Sequence, residues 1–128
     1  MIDHVTIGVS DLERSRAFYR AALAPLGYAE SPHPSAVPGE IEFGRDGRLP
    51  FAISTTPTVA PGIHVAFVAE TREQVHAFHA AALAAGATDH GQPGPRPEYS
   101  EHYYAGFVHD PDGYNVEAVC KAPPAADS

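Results

Sequence analysis

The chain repeats itself. The stretch HVTIGVSDLERSRAFYRAALAPLGY, beginning at His4, resembles HVAFVAETREQVHAFHAAALAAGAT, beginning at His64. At that offset of 60, Val5 meets Val65, Phe18 meets Phe78, and Ala21-Ala22-Leu23 meets Ala81-Ala82-Leu83. In a chain of 128 residues such a repeat limits the fold sharply. Whatever unit one half forms, the other forms too, and neither half is large enough to bury a stable core alone. Two copies of one supersecondary unit are therefore expected to share a core.

The unit opens with a strand. Val5, Ile7 and Val9 alternate with His4, Thr6 and Gly8, and Ile63, Val65 and Phe67 alternate with His64, Ala66 and Val68, a period of two. Each strand runs into a helix-start signal, Ser10 with Glu13 and Thr71 with Gln74, both readable as capping boxes. The first helix is expected to reach about Leu23, with Pro25 and Gly27 ending it and Leu12, Phe18, Ala22 and Leu26 as its apolar stripe. The second uses Val75, Phe78, Ala82 and Leu83 and stops at Gly86. Short strands follow in each half: Ile41–Phe43 and Phe51–Ser54 around the Asp46-Gly47 turn, then Tyr104–Val108 and Asn115–Cys120 around Asp110-Pro111-Asp112-Gly113. Proline-rich stretches at 32–38, 57–61 and 93–97 read as loops. The middle one separates a first module, about 1–57, from a second, about 62–121, and residues 122–128 form a frayed tail. Each half is thus β-α-β-β with room for one further strand.

Charge and cysteine count exclude several roles. The net charge is −8, and Lys121 is the single lysine among eight scattered basic residues, so nothing is available to neutralise a phosphate backbone. The same acidity disfavours an anionic membrane surface, and no apolar run approaches the roughly 20 residues that span a bilayer. Cys120 is the only cysteine, which excludes an intrachain disulfide and a cysteine-rich metal site. The opening MIDHVTIGVSD lacks the cations and apolar core of a secretory signal. A cytoplasmic location is expected, with a small molecule as partner and neither nucleic acid nor membrane.

Of the eight histidines, most need no function. His76, His79 and His90 lie on or just past helix 2 among polar positions, and His33 and His109 border loops, so all five are expected at the surface. His4 and His64 differ, because they share one repeat position. Either each caps its own strand end, or a pseudo-twofold axis brings the two imidazoles together. Glu117 weighs on the choice. It sits among Val116, Ala118 and Val119, and a carboxylate inside an apolar strand is costly to bury unless it is paired or coordinated. If that strand were an edge, Glu117 would face water. If it faces inward, His4, His64 and Glu117 make a two-histidine, one-carboxylate set with positions left open for substrate. Aligning the two turns puts Phe51, or after a small shift Ala52 or Ile53, opposite Glu117, and none of these can bind metal.

These residues resemble the vicinal oxygen chelate superfamily, the glyoxalase/bleomycin-resistance/extradiol-dioxygenase group. The signatures are Asp3-His4-Val5, then Ser10-Asp11-Leu12 with Arg16 to Tyr19, then His64-Val65-Ala66-Phe67, then Asp110-Pro111-Asp112-Gly113-Tyr114-Asn115-Val116-Glu117. The resemblance implies an α+β fold, with two βαβββ modules forming an open, cupped mixed sheet and helices on the outer faces. It also implies a divalent metal (Zn, Fe, Mn, Ni or Co) on His4, His64 and Glu117, and a homodimer whose sites are sometimes built across subunits. The first-module fourth ligand of many glyoxalase-type members is missing here. The expected activity is a metal-dependent lyase, isomerase or dioxygenase reaction on a small molecule with vicinal oxygens. A metal-free, drug-sequestering protein of the same fold is the alternative, and a protein acting through its dimer interface around a structural metal is a third reading. Glu117, His102 and Tyr103 are the expected catalytic residues, the latter two as acid or base. Tyr99, Tyr104 and Arg96 are further pocket candidates. Glu40 and Glu42 are expected to be solvated, and Cys120 a small buried hydrophobe.

Overall fold

A computed structural model describes residues 2–56 and 59–124. The first half forms β1 (Val5–Gly8), α1 (Leu12–Leu23), a 3₁₀ turn (Ala24–Leu26), β2 (Ala29–Glu30), β3 (Glu40–Arg45) and β4 (Arg48–Ser54). The second forms β5 (His64–Val68), α2 (Arg72–Ala84), β6 (Thr88–Pro95), β7 (Tyr104–His109) and β8 (Asn115–Cys120). Both are βαβββ modules, and the short β2 and the long β6 fill the place of the further strand. Each module closes its own four-stranded mixed sheet, ordered β1-β4-β3-β2 and β5-β8-β7-β6. The first pair in each is parallel and the others antiparallel.

Alternation decides which face each side chain takes. Ile7, Phe43, Phe51 and Ile53 of the first sheet pack with Phe18, Tyr19, Ala22 and Leu23, while Phe67, Val108, Val116 and Ala118 of the second pack with Val75, Phe78 and Ala82. The two helices also pack on each other, and Phe51 meets Phe67 edge to face at 5.0 Å, so the two half-cores fuse. Each sheet keeps its other face open. Among the described residues no hydrogen-bonded ladder joins the sheets, so β1 and β5 each lie at an edge.

Polar contacts lock the second-module turn onto the first module. Asp110 accepts from the Tyr19 hydroxyl and from the backbone N–H groups of Asp112 and Tyr114. Ser10 bonds to Asp112, and the Tyr114 hydroxyl donates to the carbonyl of Gly8. The buried Asp110 carboxyl is pushed above the usual range chiefly by desolvation, against the pull of those donors.

Several local expectations change. The N-cap of α1 is Asp11, whose side chain accepts from the Arg14 N–H. Ser10 is diverted to Asp112 and does not form a box with Glu13. Thr71 does cap α2, and Gln74 reaches back one residue further, to the Glu70 N–H. His79 is buried, 4% exposed, with Nε2 2.8 Å from Asp89, so the helix turns an imidazole inward where a polar outer face was expected, and Leu83 is exposed instead. Pro93 and Pro95 lie within β6; an edge strand tolerates proline because its outward N–H groups need no partner. The connection between modules runs from Ser54 to His64, and its residues 57 and 58 lie outside the described residues, as do 125–128 of the expected frayed tail.

Candidate functional site

β8 lies between β5 and β7, so Glu117 is on an interior strand. Register aligns Ala66, Glu117 and Phe107 across the open face. Even there Glu117 is only 2% exposed, because its neighbours fold over it. His64 Nε2 stands 2.9 Å from Oε1, and the Tyr103 hydroxyl donates to Oε2. Two donors on one carboxylate offset much of the cost of its burial. The Tyr103 phenol is pushed up to about 12, first by desolvation, then by its bond to Glu117 and the nearby negative charge.

Aromatic rings and cations surround the pair. Tyr99 packs edge to face on Tyr103 at 5.0 Å, and His64 lies 6.3 Å from the Phe107 ring. The Arg96 guanidinium stands 5.4 Å from the Phe107 ring centre, and the Lys121 ammonium 5.6 Å from that of Tyr103. Tyr104 faces the other way, its hydroxyl 2.6 Å from a ring nitrogen of His76. His102 is half-buried in the turn before β7, and no hydrogen bond among the described residues joins it to Glu117.

His4 holds the register position of His64 but does not reach Glu117. Its Nδ1 is 2.8 Å from Asp3, and its proton affinity is raised chiefly by that bond, then by the charges of Asp3, Glu40 and Glu42. Among the described residues, no three His, Cys, Asp or Glu side chains stand close enough to hold an ion. The pseudo-twofold expectation thus brings together two of its three residues. The physical reason is the packing of the modules, which meet through their helices while β1 and β5 remain unpaired edges. Register also settles which residue opposes Glu117: Thr6 pairs with Ala52 as Ala66 pairs with Glu117, so the equivalent is Ala52.

His64 and Glu117 are two side chains of the kinds that bind divalent ions, but the 2.9 Å between them is a direct hydrogen bond, and among the described residues no third donor stands beside them. Sequence inspection named Arg96 as a pocket candidate but missed Phe107 and Lys121 as wall residues. Phe107 was within reach, since it and Glu117 are symmetric about Asp112 in the β7–β8 hairpin; the Lys121 placement depends on loop packing that no periodicity encodes.

Comparison with known proteins agrees with this architecture. A glyoxalase/bleomycin resistance protein from Albidiferax ferrireducens T118 is 33% identical, with a TM-score of 0.77 over 94% of this chain and 98% of that one. A glyoxalase/bleomycin resistance protein/dioxygenase family enzyme from Burkholderia phytofirmans PsJN shares the fold at 20% identity, with a TM-score of 0.72 over 94% and 98% of the two chains. So does a glyoxalase-related enzyme from Fulvimarina pelagi, at 22% identity and a TM-score of 0.70 over 100% and 94%. No functionally curated protein matches the chain. With the family model matching residues 1–118, the chain belongs to the Glyoxalase/Bleomycin resistance protein/Dioxygenase superfamily.

Proposed function

We propose that the protein is a metal-dependent enzyme of the glyoxalase or dioxygenase type, acting on a small molecule with two vicinal oxygens, and that it works as a homodimer. The observation that carries this is Glu117, a buried carboxylate on an open sheet face, held 2.9 Å from His64. A divalent ion (Zn, Fe, Mn, Ni or Co) held by His64, Glu117 and the His4 of a second copy would supply Lewis-acid polarisation of a substrate oxygen. Within the chain, Tyr103 orients Glu117. With its phenol pushed up to about 12, it keeps its proton at neutral pH and serves as a donor rather than a base. His102 takes no part in this reading. Phe107, Tyr99 and Tyr103 exclude water on one side, and Arg96 with Lys121 favour an anionic group on the substrate.

The dimer is supported by what the single chain leaves uncovered. β1 and β5 are free edges, which natural sheets cover or pair. Beside them Ile2, Val5 and Val68 are 73%, 40% and 66% exposed. An apolar groove of about 240 Å³ runs there, lined by Val5, Tyr28, Phe51, Val65, Phe67 and Val68. A second copy laying its β1 against β5 would cover that surface and carry its His4 to the His64–Glu117 pair. No helix among the described residues is long and apolar enough to cross a membrane; a cytoplasmic location is part of this reading.

The test is metal content with subunit mixing. Wild-type protein purified without a histidine tag is expected to hold close to one divalent ion per chain, and Glu117→Ala and His4→Ala are each expected to lose it. Mixed dimers of the two variants regain one intact site per dimer, and with it about half of the metal. Unchanged metal in Glu117→Ala rejects the reading. One observation favours a second reading: both Glu117 oxygens already accept bonds within the chain, as in a metal-free binding protein. Thermal stabilisation by a ligand, insensitive to chelator, would support it.

A further inference from the structure

Arg96 is a cation without a counter-charge. Among the described residues Arg14, Arg16, Arg20 and Arg45 each reach a carboxylate. Arg96 reaches none, although acids outnumber bases 16 to 8 and the exposed Glu98 and Glu101 follow it closely in the chain. Its guanidinium is tied to backbone instead. Nη2 donates to the Gln92 carbonyl at 2.8 Å and Nη1 to that of Pro95 at 3.3 Å. The side chain is half-buried, with its charged carbon 5.4 Å from the Phe107 ring centre.

The long edge strand β6 makes room for it. Gly91 is the register partner of Phe107. A Cβ on Gly91 would stand 2.9 Å from Phe107 Cδ1 and 3.4 Å from Arg96 Nη2, and one on Gly94 would stand 3.3 Å from Nη1. The guanidinium therefore shares the open face with Phe107. Gly91, with φ of 152°, favours glycine for its backbone alone, but Gly94 is outside the left-handed region. What a side chain at Gly94 would meet first is the guanidinium. Two carbonyls and two missing side chains thus fix the cation in advance, which lowers the ordering cost of binding an anion.

Register sets the spacing. Glu117 on β8, Phe107 on β7 and Gly91 on β6 follow one another across the face. Strands lie about 4.8 Å apart, so the two outer positions are about 10 Å apart, the span of one aromatic ring with a substituent at each end. The Phe107 ring between them offers a flat apolar surface for stacking.

We infer that the substrate is a planar aromatic carboxylic acid, its ring on Phe107, its carboxylate on Arg96 and its oxygenated end toward Glu117. This rests on the open-face site proposed above and names the substrate class for it.

The probe is 4-hydroxybenzoate, compared with 4-hydroxybenzamide, an uncharged molecule of the same shape. Both carry one oxygen at the far end, so neither needs a metal to bind. Affinities are measured by titration calorimetry on the full chain, with and without chelator. Wild-type protein is expected to bind the acid about tenfold or more tightly than the amide. Arg96→Gln is expected to lose that preference with amide affinity unchanged, which also shows the fold intact. Arg96→Lys keeps the charge but not the planar fork and is expected to keep only part of the preference. Gly94→Ala, which crowds Nη1, is expected to weaken the acid and spare the amide. Wild-type protein that binds neither probe, or both equally, overturns the inference. So does a preference that survives Arg96→Gln and is lost in Lys121→Gln. An acid preference that persists in chelator, with metal content unchanged in Glu117→Ala, removes the metal reading and leaves this one standing.

Discussion

The two modules share a strand order and a helix position, yet they have diverged in what their open faces carry and how their turns are fixed. The second sheet buries a carboxylate under a histidine and a tyrosine; the first has an alanine at that place and two glutamates beside it. The Asp110–Gly113 turn of the second module is tied into the first by Tyr19, Ser10 and Tyr114. Its counterpart at Asp46-Gly47 is an exposed two-residue turn with φ of 54° and 76°, joined to the other module by the surface pair Arg45–Glu70 at 2.8 Å. The difference shows that a duplicated unit can keep its strand order while one of its two turns is tied across the module boundary by buried hydrogen bonds and one of its two open faces buries a carboxylate.

The largest expected effect tests that asymmetry of turns. Asp110→Ala strips three hydrogen bonds from a buried network and leaves the Tyr19 hydroxyl and two N–H groups unpaired, a cost of about 3 kcal/mol or more. Asp46→Ala loses only an exposed residue suited to left-handed backbone, a cost of about 1 kcal/mol. Urea denaturation of the two variants measures the gap. Equal losses would mean that the turns orient the modules equally.

A smaller effect distinguishes how each helix is pinned to its sheet. α2 uses the buried His79 against Asp89. α1 uses Arg16 and Arg20 against Glu30, at 2.8 and 3.0 Å. The Arg16 hydrogen bond is the main reason that the Glu30 carboxyl is held below its usual range. A depressed acid stabilises the fold above its unfolded pKa and loses that contribution as pH falls through the folded one. Glu30→Gln is therefore expected to cost about 1 kcal/mol or less at pH 7, and the difference from wild type should shrink as pH falls through the depressed folded-state pKa. A constant difference across that range would mean that packing, not charge, holds the pair.

The contrast between modules also marks what could be read from the chain. The repeat, both helices and the hairpin around Asp112 were legible because local periodicity and turn chemistry decide them. Glu117 was legible as a buried group because its neighbours are apolar. The Ala52 equivalence needed the strand register, which a one-residue ambiguity in turn length obscures. That His4 does not reach Glu117 was illegible, since it depends on how the modules pack. Ser10 as a bridge to Asp112, rather than a cap, was hidden for the same reason: a long-range partner outcompeted a local one.

The smallest effect concerns Tyr103, the group that the second open face has and the first lacks. Its phenol is pushed up to about 12, with desolvation the leading cause and Glu117 the next. An unfolded tyrosine gives up its proton near 10, so between about pH 10 and 12 the unfolded chain binds fewer protons and native stability falls as pH rises. Phenolate absorption under native conditions is expected to show one tyrosine titrating late. In Glu117→Gln that midpoint drops but stays above the free value, because burial remains when the negative charge is gone. A midpoint unmoved by Glu117→Gln would separate the phenol from the carboxylate and remove Tyr103 as the group that orients it. A midpoint falling all the way to the free value would make the carboxylate, rather than burial, the whole cause.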